Sequence, residues 1–168
     1  SSDLDEHFRE LLQCGVKAFI PLPGQRLLVE NSFMQAPIDL DDILFRLMLN
    51  GFQPILAHPE RYRYYHSHKE TYHHLHNNGC HFQINLLSLA GYYGKEIKEV
   101  AWWLCKNGMV EFLGSDLHNR EHAQAISAWL TTKEYKKVKD LLPSLHNDLL
   151  SAGKRSEERR VGKECRSR

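Results

Sequence analysis

The 168-residue chain has no apolar run long enough to cross a bilayer, a span that takes about 20 residues as a helix. Its four cysteines, Cys14, Cys80, Cys105 and Cys165, form no Cys-x-x-Cys pair, which speaks against a zinc knuckle or a thioredoxin-type site. The sixth residues after Cys14, Cys80 and Cys105 are Ile20, Leu86 and Glu111, never the arginine that a thiolate phosphatase loop needs. There is no Gly-rich Lys-Ser/Thr phosphate loop and no Gly-x-Ser-x-Gly elbow. Strong charge is missing as well. The net charge is +1, and residues 154–168 hold seven Lys/Arg against three Glu, which leaves −3 on the other 153 residues. That body carries no nucleic-acid footprint.

What is present suits one globular domain with a real core. Three of the cysteines sit beside apolar positions and read as free, partly buried thiols, which points to a reducing, cytoplasmic setting. No signal peptide is visible, but the chain begins at Ser1 without a methionine. Histidine is abundant, with His66, His68, His73, His74, His76 and His81 close together. They lack the paired spacing of a structural metal site and read as a polar helix face with its flanks.

Hydrophobic periodicity predicts helices over Asp5–Cys14, from Asp39 or Asp41 to Asn50, from a Ser67-x-x-Glu70 capping box to Asn77, over Lys95–Asn107, over His122–Leu130, and over 133–150 around Pro143. Strands are predicted at Arg26–Glu30, Gln53–Ala57, His81–Asn85 and Met109–Leu113, with a small-residue loop at Ser88–Gly94. The second strand is continuously apolar, as for burial on both faces.

The strands end on Glu30, His58, Asn85 and Asp116, at spacings of 28, 27 and 31 residues. Each interval holds one loop, one helix and one strand, the size of a βα unit. A parallel sheet brings such ends together at its carboxyl edge, where α/β sites are built. Glu30, His58, Asp116 and His118 then form an oxygen and nitrogen donor set suited to zinc, manganese or iron. Arg61 can clamp a phosphate with paired hydrogen bonds, or pair with Glu60 or Asp42. Asn85 and Asn119 can bind water or substrate, or serve as turn and cap residues.

Arg26-Leu-Leu-Val-Glu30, Ile55-Leu-Ala-His-Pro-Glu-Arg-Tyr62, Gln83-Ile-Asn85, Gly91-Tyr-Tyr-Gly94 and Gly114-Ser-Asp-Leu-His-Asn119 occur in order. Together they resemble the bacterial tyrosine-protein phosphatases of capsular and exopolysaccharide synthesis, within the polymerase and histidinol phosphatase (PHP) family. The resemblance runs from about Asp3 to about Leu130. It implies an α/β fold, the C-terminal part of a distorted seven-stranded β/α barrel, with a cluster of two or three metal ions, commonly manganese, at the strand ends. It makes Glu30, His58, Asp116 and His118 metal ligands and Arg61 a phosphate-binding residue. Arg61, Asp116 and His118 are the expected catalytic residues, with Asn119 beside Arg61 as a substrate contact.

The activity this implies is hydrolysis of phosphotyrosine on protein, with an autophosphorylating tyrosine kinase as partner. The alternatives are a PHP phosphoesterase acting on a small molecule such as histidinol phosphate, and a non-catalytic βα binding module. The family's leading His-x-His strand has no match in Ser1–Leu28. Residues 1–153 are therefore expected to be a partial domain, inactive or nearly so by itself. Residues 154–168 resemble a translated adapter more than a native basic arm. Many relatives also carry an arginine about five residues after the last metal histidine. Here that place is Ala123, with Arg120 nearer.

Overall fold

The computed structural model describes residues 2–3, 8, 19–142 and 145–150. Five parallel strands form one sheet: β1 (Ser2–Asp3), β2 (Arg26–Glu30), β3 (Gln53–Ala57), β4 (His81–Asn85) and β5 (Phe112–Gly114). Their spatial order is their chain order, β1-β2-β3-β4-β5. Each crossover therefore steps one strand in the same direction. A barrel wall is wound this way, whereas a doubly wound sheet reverses at a switch point.

The register fixes the site. Val29 pairs with Leu56, Ala57 with Gln83 and Asn85 with Gly114, so Glu30, His58, Asn85 and the loop after Gly114 reach one edge. β3 is buried from Pro54 to Ala57, as its unbroken apolar run requires. β2 alternates, with Leu27 and Val29 inward.

Helix α1 (Leu40–Leu49) buries Leu40, Ile43, Leu44 and Leu47, a spacing that lines one helical face. α2 (Lys69–Asn77) buries Tyr72 and Leu75, and α4 (Lys95–Lys106) buries Ile97, Val100, Ala101, Leu104 and Cys105. α5 (Arg120–Leu130) and α6 (Lys133–Leu141) contribute Ile126, Trp129 and Val138 to the interior. Beneath the site Tyr62, Tyr65, Tyr72 and Phe82 follow one another edge to face, at centroid distances of 6.2, 5.8 and 6.3 Å. Tyr62, Tyr72 and Phe82 are fully buried, and burying each such ring is worth about 1.5–3 kcal/mol.

Five local expectations are corrected. Ser88–Gly94 is not all loop: Leu86–Ala90 form a short helix, α3, stopped by Gly91 at φ 88°, a conformation that suits glycine. The capping box at Ser67 does not form. The chain turns through Arg63–Tyr65 as a 3₁₀ segment, α2 starts only at Lys69 after His68, and Glu70 pairs with His68 instead. The fourth strand starts at Phe112, not Met109, and α5 starts at Arg120 rather than His122. The last helix ends at Leu141, and Asn147–Leu150 form a separate 3₁₀ turn. Apart from Phe8, the helix expected over Asp5–Cys14 lies outside the described residues, as do Pro143 and the tail from residue 151.

The outer edge of β5 is closed by side chain. The Asn147 amide accepts from the Leu113 N–H at 2.9 Å and donates to the Leu113 carbonyl at 2.7 Å. The His146 N–H donates to the Glu111 carbonyl at 2.8 Å. These bonds replace part of the ladder a further strand would supply.

Candidate active site

β3 leads into the site through a forced turn. Pro59 opens a 3₁₀ turn, Pro59–Arg61, and His58 before it sits in the left-handed region at φ 33°, ψ 55°. A residue before proline is pushed away from the right-handed helical region, and the left-handed one costs a non-glycine residue about 1–2 kcal/mol. His58 keeps its place in the sheet, since its N–H donates to the Gln83 carbonyl at 2.7 Å. Asp116 is likewise left-handed, at φ 47°. Of the three described non-glycine residues with positive φ, two are thus predicted site residues. Strain held in place by surrounding structure is common where side chains must be aimed.

The imidazole of His58 faces Glu30, with Nε2 2.9 Å from Oε1. Burial penalises the imidazolium and holds His58 below its ordinary value. Arg61 adds to this, while Glu30 and Asp116 act against it. The ring is therefore neutral near pH 7, Nε2–H donates to Glu30, and Nδ1 is buried without a partner.

Asp116 gathers the second group. Its Oδ2 accepts from Arg61 Nη1 at 3.1 Å and from Asn85 Nδ2 at 3.0 Å. Asn85 is oriented in turn by Gln83, whose Nε2 donates to Asn85 Oδ1 at 2.9 Å. The Asn85 N–H donates to Glu60 Oε1 at 3.1 Å. Arg61 thus pairs with Asp116, not with Glu60 or Asp42, and Asp42 takes Arg46 at 2.8 Å. Glu60 points inward and is fully buried. Desolvation pushes its carboxyl up to about 7 against the opposing pull of Ser88, the Asn85 N–H and Arg61. Its Oε2 and the Ser88 hydroxyl, though near each other, make no well-formed hydrogen bond.

His118 is largely exposed and bonds within its own loop. Its Nδ1–H donates to the Asp116 carbonyl at 2.8 Å, which leaves Nε2 to accept a proton or an ion. Asn119 caps α5 through Oδ1, which accepts the His122 N–H at 2.9 Å. The cap reading of Asn119 is thus the one seen. Asn85 serves as a site hydrogen-bonder. Within the histidine-rich stretch His68, His74 and His76 pair with Glu70, Asp41 and Glu111.

Sequence reasoning missed the aromatic setting of Arg61. Its Cζ lies 4.8 Å from the Phe33 centroid and 4.4 Å from that of Tyr93. Phe33 also stacks on His58, at 5.3 Å and 16°. The signals were present: Phe33-Met34 is apolar within a loop, and Tyr92-Tyr93 stands between two glycines. Phe33 is half exposed, so the cation lies against a solvent-facing ring.

The family model for capsular polysaccharide synthesis, CpsB/CapC, matches residues 14–141. Among curated proteins the chain is 34% identical over 93 residues to tyrosine-protein phosphatase YwqE of Bacillus subtilis, covering 55% of this chain and 37% of that protein. It is 31% identical over 97 residues to tyrosine-protein phosphatase CpsB of Streptococcus agalactiae, covering 55% and 40%. The chain thus spans less than half the length of these relatives. It also superposes with a TM-score of 0.63 on a chain from crystal structures of YwqE from Bacillus subtilis and CpsB from Streptococcus pneumoniae, described as unique metal-dependent tyrosine phosphatases. That match has 24% identity and covers 85% of this chain and 62% of the other.

The donors fit a divalent first-row ion in kind. Glu30 and His58 present their ligating atoms to each other, and His118 has its second nitrogen tied to a carbonyl, as metal-binding histidines usually do. In arrangement they form two halves, Glu30 with His58 and Asp116 with His118. Among the described residues no three His, Cys, Asp or Glu side chains converge to hold an ion.

Proposed function

The chain belongs to the CpsB/CapC family of capsular polysaccharide synthesis, and from that premise we propose that the whole protein is a metal-dependent tyrosine-protein phosphatase. Its substrate is phosphotyrosine on protein, for which we take an autophosphorylating tyrosine kinase as the partner. The setting of Arg61 carries the reading. Its guanidinium is held by Asp116 and flanked by the rings of Phe33 and Tyr93. A phosphate dianion suits the cation, and an aryl ring suits the two flanking rings.

A divalent ion, manganese in our reading, held by Glu30, His58, Asp116 and His118, would polarise the phosphoryl oxygens and lower the pKa of water. The chain's own residues do the rest. One Arg61 N–H is used by Asp116, and the others of its fork are left to neutralise the phosphoryl oxygens as a water oxygen bonds to phosphorus, the bond to the tyrosyl oxygen breaks and the phenolate takes the proton that the water gives up. Asp116 sets the plane of Arg61, and Asn85 holds Asp116, itself fixed by Gln83 and Glu60. His58 is kept neutral and carries its one ring proton on Nε2, toward Glu30, so Nε2 would bind an ion once that proton has moved to Nδ1. Asn119, besides its cap, stands next to the substrate mouth as a second contact in our reading. We place the protein in the cytoplasm, a setting supported by the buried free thiols Cys80 and Cys105. No described helix is long and apolar enough to cross a membrane.

The test is Arg61→Ala in the whole protein supplied with manganese. The expected loss in kcat/KM on a phosphotyrosyl peptide is about 10²–10³-fold, the usual size for removing one preorganised charge donor. Arg61→Lys should recover little, because a point charge lacks the fork. Unchanged kcat/KM in Arg61→Ala would remove Arg61 from the mechanism. Turnover of histidinol phosphate but not of the peptide would overturn the substrate class.

A further inference from the structure

Away from the strand ends, α2, α4 and α6 enclose a groove of about 600 Å³. Its floor is a pair of half-buried indoles, Trp102 and Trp103, on the outward stripe of α4. Lys69 from α2, Lys106 from α4 and Lys137 from α6 stand around them. Neither the strand-end site nor any residue of the proposed reaction reaches this place.

We propose that this groove binds an acidic saccharide, a short run of pyranose rings carrying carboxylates. The indoles are fixed before any ligand arrives. Trp102 Nε1–H donates to the Leu89 carbonyl at 3.3 Å. Trp103 packs against Tyr72 at 6.0 Å and edge-on to His73 at 5.5 Å. Rings held this way lose little freedom on binding. Their electron-rich faces suit the weakly positive C–H face of a pyranose, by the same quadrupole that governs aromatic pairing.

The charges select among sugars. Lys69 Nζ lies over the Trp103 ring, 5.0 Å from its centroid, and a uronic acid stacking there would draw this ammonium off the ring face to its own carboxylate. Among the described residues Lys106 and Lys137 have no ion pair. Lys98, by contrast, is held by Glu134 at 3.0 and 2.9 Å and ties α4 to α6. Glu134 and Glu99 also line the groove. Each is paired with a lysine, Lys98 and Lys95, and keeps lone pairs that can accept sugar hydroxyls, whereas an acidic peptide offers neither those hydroxyls nor a pyranose face for the indoles. The volume lies within the range of small-molecule sites.

The test uses the chain labelled with ¹⁵N and titrated with trigalacturonic acid, maltotriose or hexaglutamate. Three indole N–H signals report, from Trp102, Trp103 and the buried Trp129. Trigalacturonic acid should shift the first two saturably at millimolar concentration and leave Trp129 in place. Maltotriose and hexaglutamate should bind at least about tenfold more weakly. Reversing two exposed charges, Lys106→Glu with Lys137→Glu, should weaken trigalacturonate by about tenfold or more with the circular dichroism spectrum unchanged. Absence of any saturable indole shift would overturn the proposal. So would hexaglutamate binding as well as the uronate, or affinity unchanged in the folded double variant.

Discussion

Replacing Glu60 by glutamine tests whether a fully buried carboxyl behind Arg61 sets the pH dependence of stability. Glu60 ionises at about 7 in the folded chain against an ordinary 4.5, chiefly through desolvation. The folded chain therefore keeps a proton that the unfolded chain has released. Unfolding free energy should fall as pH rises from about 4.5 to about 7 and then level off, with a full range of about 3 kcal/mol. In Glu60→Gln this fall is absent. Glutamine keeps an acceptor for the Asn85 N–H, but its amide nitrogen replaces Oε2, which has no hydrogen-bond partner. That cost is independent of pH, so the comparison reads the slope and not the level. His58 acts the other way. Its folded value is lowered, so its contribution rises with pH up to about 6.5. It is common to both proteins and cancels in their difference. Urea unfolding followed by tryptophan fluorescence from pH 5 to 8 should show the variant gaining about 2–3 kcal/mol on the parent across the window. Parallel curves would refute the reasoning and mean that Glu60 titrates near its ordinary value.

Two further outcomes test the frame around the site. A Cβ at Gly114 would collide with the Gln83 side-chain amide, which orients Asn85. Gly114→Ala is therefore expected to cost about 1–3 kcal/mol and, in the whole protein, to lower kcat more than it raises KM on a phosphotyrosyl peptide. Wild-type kcat would show that Gln83 does not set Asn85. Asn147→Ala removes both side-chain bonds to Leu113 and should cost about 1–2 kcal/mol. The Leu113 amide should lose hydrogen-exchange protection ahead of the core amides, and uniform exchange across β4 and β5 would count against edge closure by Asn147.

The frame was legible because β3, buried on both faces, reads as a continuous apolar run and the other strands read as short segments with alternating apolar positions. A polar residue at or just past the end of each then marks the sheet edge. That logic located Glu30, His58, Asn85 and Asp116 without any contact information. It could not say how they group, because register and backbone strain decide it. His58 turns left-handed before Pro59 and meets Glu30. Asp116 turns left-handed two residues after β5 and meets Arg61 and Asn85. Glu60 was weighed as a partner for Arg61 on sequence adjacency alone. In a 3₁₀ turn of three residues, neighbours point about 120° apart. When Arg61 faces the mouth, Glu60 must face elsewhere, and here that is the core. Phe33 and Tyr93 belong to loops, where no period links a side chain to a face. Their convergence on Arg61 depends on two loops 60 residues apart in the chain meeting over one guanidinium. A pattern of donors at strand ends can therefore announce chemistry. Under the proposed function, the ring that stacks on His58 and flanks Arg61 is what would give those donors a preference among phosphate esters.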